Sequence, residues 1–582
     1  MIEARPDHLT WRHRVVAALL ALAILGIVGR LVQLQVLDHE RYVEQAAATR
    51  LGAVEVYAPR GAILDATGYP LAISVDAFDV YVDRFLWRDR EKAQAAATRL
   101  APLIHGDPAA ILRAGSEQDS GDALVARQIA FADGDRLQRE ALFGVRLIPS
   151  SVRIYPEGDL AGQLVGYVGL DQVGLWGIEA DYETVLHGKR GWLVSERDPL
   201  GRPIAFGPRR ERAPTVGGEV QLTVDRFVQA AVERRLDEAL KQFKAPSGSI
   251  IVMDPRTGAV LAMASRPAVS LSRVNLDDPA LSDLVRNRAV TDLYEPGSVL
   301  KTITTAAALD LGKVTPETTY RDSGQVKVLN DTIRNWDLRA YGEVTVREYL
   351  QYSLNTGAVW LSDLVGAHEF YRYLRAFGLG EATHVGLAGE AEGQMRTPDD
   401  PDWYPVDLAT NSYGQGIAAS PLQVLAAVNA FANGGVLMRP YIVSRVVTGE
   451  RVRQFQPVQV RRVVSPGTAE TMRLLMRDVV EGVPAHGARV PGYEVAGKTG
   501  TTLVSIPTGY DLATTIATFA GFIPAERPVV SIVVKIDQPQ GALNLGGEVA
   551  APIFARVASD VMAYLNVPPT RPVPAPARVG AR

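Results

Sequence analysis

Cysteine is missing from all 582 residues. That excludes disulfides, thiol nucleophiles and cysteine-ligated metals. Histidine is sparse: eight residues, scattered, with no His-Glu-x-x-His or related spacing, so neither a metal nor another cofactor is expected. A strong charge of either sign is also lacking. The net charge of −4 gives no reason to expect a nucleic-acid partner. Apolar residues make up 47% and charged residues 22%, which excludes wholesale disorder. The chain is too long for one core, so about two or three domains are expected.

Charge is absent over Val15 to Gly29, and after Arg30 the apolar character resumes through Leu37. The charge-free part alone is short of the ~20 residues that cross a bilayer. Adding 31–37 supplies the length, with Arg30 reaching toward the headgroups. A cleaved signal peptide is the rival reading, but no small-x-small site directly follows Gly29. We therefore expect a cytoplasmic tail at 1–14 and an uncleaved anchor at 15–37. Arg12 and Arg14 place the tail inside and the bulk of the chain outside.

From 38 to 215 the sequence reads as mixed α/β and carries no nucleophile constellation. Arg60 to Asp65, then Gly68 and Leu71 to Ile73, alternate as strand, turn, strand. Arg153-Ile154-Tyr155-Pro156 and Gly174 to Glu179 are dense in turn residues and are read as packing in a non-catalytic module. Ser116 to Asp122 reads as a loop. A boundary falls near Thr215 to Gly218, and a second domain is expected over 216–566. It opens with a strand at Glu219 to Thr223. A helix capped by Asp225 should then run from Arg226 to about Phe243, with Phe227, Ala231, Val232, Leu236 and Leu240 on one stripe. Ser249 to Met253 and Val260 to Ala264 flank Asp254 to Gly258 as a hairpin. Both arms are apolar, which points to the middle of a sheet covered on both faces. Helices are expected at Thr356 to Leu364, Pro421 to Ala432 and Thr468 to Val480. A strand should lead through Glu494 to Gly497 into Lys498, with 516–522 and 529–536 as its neighbours. Residues 567–582, rich in Pro, Ala and Arg, read as a disordered tail.

The chemistry is carried by Glu295-Pro296-Gly297-Ser298-Val299-Leu300-Lys301. Pro296 and Gly297 end the preceding element, and Ser298 starts a helix-compatible run to Leu311. Ser298 and Lys301, three apart, share a helix face. A serine hydroxyl needs a base within hydrogen-bond reach. A lysine serves only if burial lowers its pKa, and Val299, Leu300 and Ile303 would supply that burial. Alone the pair also fits a helix-capping serine and a solvated lysine. Two further stretches occur downstream in order, Ser353-Leu354-Asn355 and Lys498-Thr499-Gly500-Thr501.

Ser-x-x-Lys, Ser-x-Asn and Lys-Thr-Gly in that order are the signature set of penicillin-binding proteins and serine β-lactamases. The chain resembles a class B penicillin-binding protein, the monofunctional peptidoglycan D,D-transpeptidase of the cell-division (septal, FtsI-like) branch. The similarity runs from the anchor to about residue 565. It includes Arg60-Gly61-x-Ile63-x-Asp65-x-x-Gly68-x-x-Leu71-Ala72, Arg153-x-Tyr155-Pro156, Gly166 and Gly177-Ile178-Glu179. Asn287 to Ser298, Gly414-Gln415-Gly416 and Ala432-Asn433-Gly434-Gly435 also match. The chain departs from the pattern at Ala66, Gln163, Val299, Leu300 and Thr302, none of which removes a catalytic group. No C-terminal repeat module is expected.

The resemblance implies an α/β multidomain protein: one N-terminal transmembrane helix, a mixed α/β pedestal (dimerisation-type) domain, and a transpeptidase domain built on an antiparallel sheet sandwiched by helices. It implies Ser298 as nucleophile, Lys301 as its base, Ser353 as proton relay and Asn355 as an orienting amide. Lys498 supplies positive charge, and Thr499 and Thr501 bind the substrate carboxylate. Gly500 leaves room for substrate backbone at the sheet edge. The N–H groups of Ser298 and Thr501 form the oxyanion hole. Stem peptides and β-lactams are the expected ligands, a polytopic glycan polymerase of the division machinery the expected partner, and the cell membrane the location. An elongation-type transpeptidase shares all of this except the partner. A membrane-anchored penicillin sensor or β-lactamase shares the triple but lacks such a pedestal. A non-enzymatic scaffold of the same fold is opposed by the intact Ser298, Lys301, Ser353, Asn355 and Lys498.

Overall fold

A computed structural model describes residues 8–42, 51–117, 121–196, 209–483, 486–506, 509–541 and 544–572. The start of the expected tail (1–7), part of the expected 116–122 loop (118–120) and the end of the C-terminal tail (573–582) lie outside these residues. Helix α1 spans His8–Val32 and continues as a wider turn, Gln33–Leu37. Together they give an apolar stretch, Trp11–Leu37, with mean hydropathy 2.6, long enough to cross a membrane. The helix starts upstream of the expected anchor because Arg12 to Arg14 extend it without interruption. Arg30 is accommodated by a 2.7 Å hydrogen bond to the Gln33 side chain.

The remainder divides into two units. The first comprises Met1–Ala58, Phe78–Ser150 and Gly188–Val216. It holds a three-stranded antiparallel sheet in the order Leu51–Val56, Gly191–Glu196, Arg209–Arg212. Its core is small: Val80, Val82, Trp87, Ala97, Leu100 and Leu137 among others. Trp87 anchors it by donating to the Phe143 carbonyl at 2.9 Å.

The second unit comprises Pro59–Ala77, Ser151–His187 and Gly217–Arg582. Within it, Ile63–Leu64 pairs in parallel with Glu219–Leu222. Glu179 lies beneath, fully buried between two guanidinium groups, Arg60 at 2.6 Å and Arg153 at 2.7 Å. Three stretches far apart in the chain are thereby tied through one carboxylate.

Five antiparallel strands form the central sheet: β1 (Ser247–Met253), β2 (Val260–Arg266), β3 (Ala496–Ile506), β4 (Gly509–Ile523) and β5 (Val530–Asp537), in the order β2-β1-β5-β4-β3. One face packs against helices α2 (Arg226–Phe243) and α8 (Ala550–Tyr564) through Val232, Leu236, Phe519 and Phe554. The other face contributes Ile251, Met263 and Val533 to the main core, shared with α3 (Lys301–Asp310), α6 (Pro421–Ala432) and α7 (Pro466–Glu481).

Several expectations need correction. The apolar strand β2 is at the sheet edge rather than in its middle. Its exposed side is partly closed instead by Tyr441 and Asp225 backbone groups, at 3.0 Å each. Strand β5 is one place removed from β3, with β4 between them. Asp225 caps α2 as expected, but Phe227 is 51% exposed and Val228 takes its place in the core. Phe227 instead meets the Tyr564 ring, 5.4 Å away. The α8 helix was not anticipated. The described part of the C-terminal tail is tied down: Thr570 N–H donates to the Gly492 carbonyl at 2.9 Å and the Tyr493 hydroxyl to the Val567 carbonyl at 2.6 Å.

Candidate active site

Ser298 sits in a single tight turn, Gly297–Val299, and α3 begins only at Lys301. The helix does not start at Ser298 because Gly297 adopts φ +59°, which turns the chain sharply. A Cβ at Gly297 would also lie 2.6 Å from the Thr502 methyl, so the turn is packed directly on β3. Ser298 is half-buried at the head of α3, and Lys301 points inward with no exposed surface.

Opposite stands a helix pair, α4 (Val346–Tyr352) and α5 (Asn355–Val365). Ser353 closes α4 in the left-handed conformation, φ +58°, which a residue with a Cβ adopts at a cost of about 1–3 kcal/mol. That reversal turns both its hydroxyl and its carbonyl toward Lys301. The Lys301 amine lies within hydrogen-bond reach of the Ser353 carbonyl at 2.6 Å, the Asn355 Oδ1 at 2.9 Å and the Ser353 hydroxyl at 3.2 Å. Asn355 is oriented from behind, since its Nδ2 donates to the Arg334 carbonyl at 2.8 Å and its N–H to Asn335 Oδ1 at 3.0 Å. Asn335 is held in turn by the buried Asp322 carboxylate at 3.0 and 3.1 Å. Asn335 and Asp322 were not anticipated, because nothing in their local spacing marks them as partners of Asn355.

Strand β3 brings the second amine. Lys498 is buried and its Nζ donates to the Ser353 hydroxyl at 2.9 Å. Its distances to the Thr499 carbonyl and hydroxyl are longer, 3.4 and 3.5 Å. Burial, and then the charge of Lys498, holds the Lys301 amine well below the ordinary lysine range. Burial alone pushes Lys498 down to about 7.

The structure thus joins Lys301, Ser353, Asn355 and Lys498 in one hydrogen-bonded cluster. Among the described residues the Ser298 hydroxyl has no hydrogen-bond partner, since the Lys301 amine is engaged by Ser353 and Asn355. Thr501 Oγ1 accepts from Gly546 N–H at 2.9 Å. Gly500 is also packed closely within the protein. A Cβ there would lie 2.6 Å from the Pro296 carbonyl, so the glycine admits the Ser298 turn itself. Among the described residues no cluster of His, Asp and Glu is arranged to hold a metal.

Known proteins resemble this chain over most of its length. Residues 248–559 match the penicillin-binding protein transpeptidase domain, and residues 55–222 match the penicillin-binding protein dimerisation domain. Stage V sporulation protein D of Bacillus subtilis is 32% identical over 576 residues, covering 97% of this chain and 88% of that protein. Peptidoglycan D,D-transpeptidase FtsI of Escherichia coli is 31% identical, covering 97% and 94%. The crystal structure of penicillin-binding protein 3 from Mycobacterium tuberculosis complexed with aztreonam superposes with a TM-score of 0.69 at 27% identity, covering 89% of this chain and 99% of that one.

Proposed function

The chain belongs to the class B penicillin-binding proteins, and from that premise we propose that it is a peptidoglycan D,D-transpeptidase whose acyl-enzyme forms on Ser298. The observation that carries the reading is the meeting of two buried amines, Lys301 and Lys498, on the single hydroxyl of Ser353, beside the turn that presents Ser298.

Ser298 Oγ attacks the carbonyl between the two terminal D-alanines of a stem peptide, and its proton passes to the neutral amine of Lys301. Burial lowers the pKa of that amine well below the ordinary lysine range, which favours the neutral form able to take the proton. Its hydrogen bonds to Ser353 and Asn355 hold it at the head of α3, and the last movement toward Ser298 accompanies substrate binding, as such contacts commonly tighten only in the complex. The N–H groups of Ser298 and Thr501 stabilise the oxyanion; losing one such donor costs about 10²–10³ in rate. As the C–N bond breaks, the leaving D-alanine nitrogen takes a proton through the Ser353 hydroxyl, which is replenished from the lysine pair. An amine of a neighbouring stem peptide then attacks the ester, forming the cross-link and returning the proton to Ser298. Lys498, Thr499 and Thr501 bind the substrate carboxylate, and Asn355 orients its amide.

β-Lactams enter the same route and stop at the ester. The test is labelling with a fluorescent penicillin: wild type gives a covalent band and Ser298→Ala gives none, whereas a labelled Ser298→Ala would remove the assignment. The domain limits we favour are an anchor at 15–37, a pedestal at 38–215 and a transpeptidase domain at 216–566. Likeness to FtsI supports a role in septal wall synthesis. The charge of Arg12 and Arg14 supports a tail inside and a catalytic domain outside the membrane. A polytopic glycan polymerase is the partner that this anchored arrangement suits.

A further inference from the structure

The carboxylate three residues before Ser298 has no part in the acyl transfer just described. Glu295 nevertheless touches three separate stretches of the chain. Its Oε1 accepts from the Gly416 N–H at 2.9 Å and from the Tyr510 hydroxyl, at the start of β4, at 2.8 Å. Its own carbonyl accepts from the Thr502 hydroxyl on β3 at 3.1 Å. Main-chain bonds on either side continue the contact with 414–419. Tyr294 and Ala419 exchange both hydrogen bonds, at 3.0 and 2.9 Å, and Gly297 N–H donates to the Gly414 carbonyl at 3.1 Å. The fit is tight: a Cβ at Gly414 would lie 2.2 Å from the Gly297 carbonyl.

The other oxygen, Oε2, is buried and has no hydrogen-bond partner. Among the described residues no lysine, arginine or histidine pairs with this carboxyl. A solvated surface charge does not fit the burial, and a structural ion pair does not fit the missing cation. What remains is an acceptor that saturates one oxygen with two donors from different loops. Burial also pushes this carboxyl upward, consistent with the sealed second oxygen.

We infer that Glu295 is a positioning residue that clamps the Ser298 turn between β3, the start of β4 and the Gly414–Gly416 loop, and so fixes the Ser298 and Thr501 N–H groups relative to each other. The inference rests on the acyl-transfer reading above. Small misplacements of reacting groups cost rate rather than affinity when the ground-state complex is unaffected.

The test is stopped-flow acylation by a chromogenic cephalosporin, which separates the dissociation constant of the first complex from the acylation rate constant, with thermal melting alongside. In Glu295→Ala the acylation constant falls at least about tenfold while the dissociation constant stays within about twofold. Glu295→Gln keeps the Oε1 acceptor and recovers to within about threefold of wild type. Tyr510→Phe, which removes one donor, falls between Glu295→Ala and wild type, and it decides the matter if Glu295→Ala shows no melting transition. A wild-type protein that is not acylated overturns the acyl-transfer reading and this inference with it. An acylated wild type with an equally fast Glu295→Ala or Tyr510→Phe, or a Glu295→Gln as slow as Glu295→Ala, overturns this inference alone.

Discussion

Lys301 and Lys498 reach the same oxygen atom, their amines lying 3.2 and 2.9 Å from Ser353 Oγ. The hydroxyl accepts from both, but two full positive charges around it in a buried site repel each other. The site therefore favours a state with fewer protons than two free lysines would carry at neutral pH. That is the protonation state acylation requires.

The pH dependence follows with a definite sign. Acylation is lost as pH falls and Lys301 takes up a proton. Lys498 lowers the Lys301 pKa through its charge, after the larger effect of burial. Lys498→Gln removes that charge, so the Lys301 pKa rises and the acid limb of the acylation profile moves to higher pH. Acylation rates of wild type and Lys498→Gln between about pH 5 and about pH 9 check this. An acid limb that stays in place or moves downward contradicts it.

Asn335 lies outside every catalytic motif yet holds the Asn355 backbone at 3.0 Å while donating to Asp322. Asn335→Ala leaves a buried carboxylate short of a donor, which costs about 1–3 kcal/mol. Denaturant melts should show that loss. Acylation should slow as well, because Asn355 then orients Lys301 less firmly, whereas an exposed control such as Asn275→Ala changes neither.

Glu179 binds both Arg60 and Arg153 at a buried site, and Glu183 is a second partner of Arg60 at 2.6 Å. Glu179→Gln leaves the buried Arg153 guanidinium without its carboxylate and leaves Arg60 with Glu183 alone, at 2.6 Å, and a loss of about 3–5 kcal/mol is expected. Thermal denaturation measures it. The fraction that remains folded should still be acylated, since no part of this ion cluster contacts Lys301, Ser353 or Lys498.

Gly500→Ala forces a methyl to 2.6 Å from the Pro296 carbonyl, two residues from the nucleophile. Either the strand or the turn must move, so penicillin labelling falls sharply even though no catalytic group is changed. Equal labelling of Gly500→Ala and wild type would show that the turn yields without consequence.

Much of the architecture was legible because local signals agreed with the fold. Asp225 caps α2 at the expected place, and the hairpin of β1 and β2 turns at Asp254 to Gly258. The residues of the cluster were legible through the family resemblance that their order and spacing carry, since the Ser298–Lys301 pair alone also fits a capped helix. The rest depended on long-range contacts. Nothing local says that Ser353 takes a left-handed conformation, that Asn335 stands behind Asn355, or that Glu295 accepts from Tyr510. The edge position of β2 escaped for a similar reason: an apolar strand reports that its faces are covered, not how many neighbours it has. Nor does anything local say that Gly500 lies against the turn that carries Ser298.

The central claim is that one hydroxyl, that of Ser298, carries the acyl group. The most direct measurement is mass spectrometry of proteolytic peptides after reaction with a β-lactam. We predict a mass increase equal to the whole β-lactam on the peptide containing Ser298, at that residue and at no other. An adduct on a different side chain, or an unmodified Ser298 peptide in protein that has taken up the drug covalently, would contradict the account.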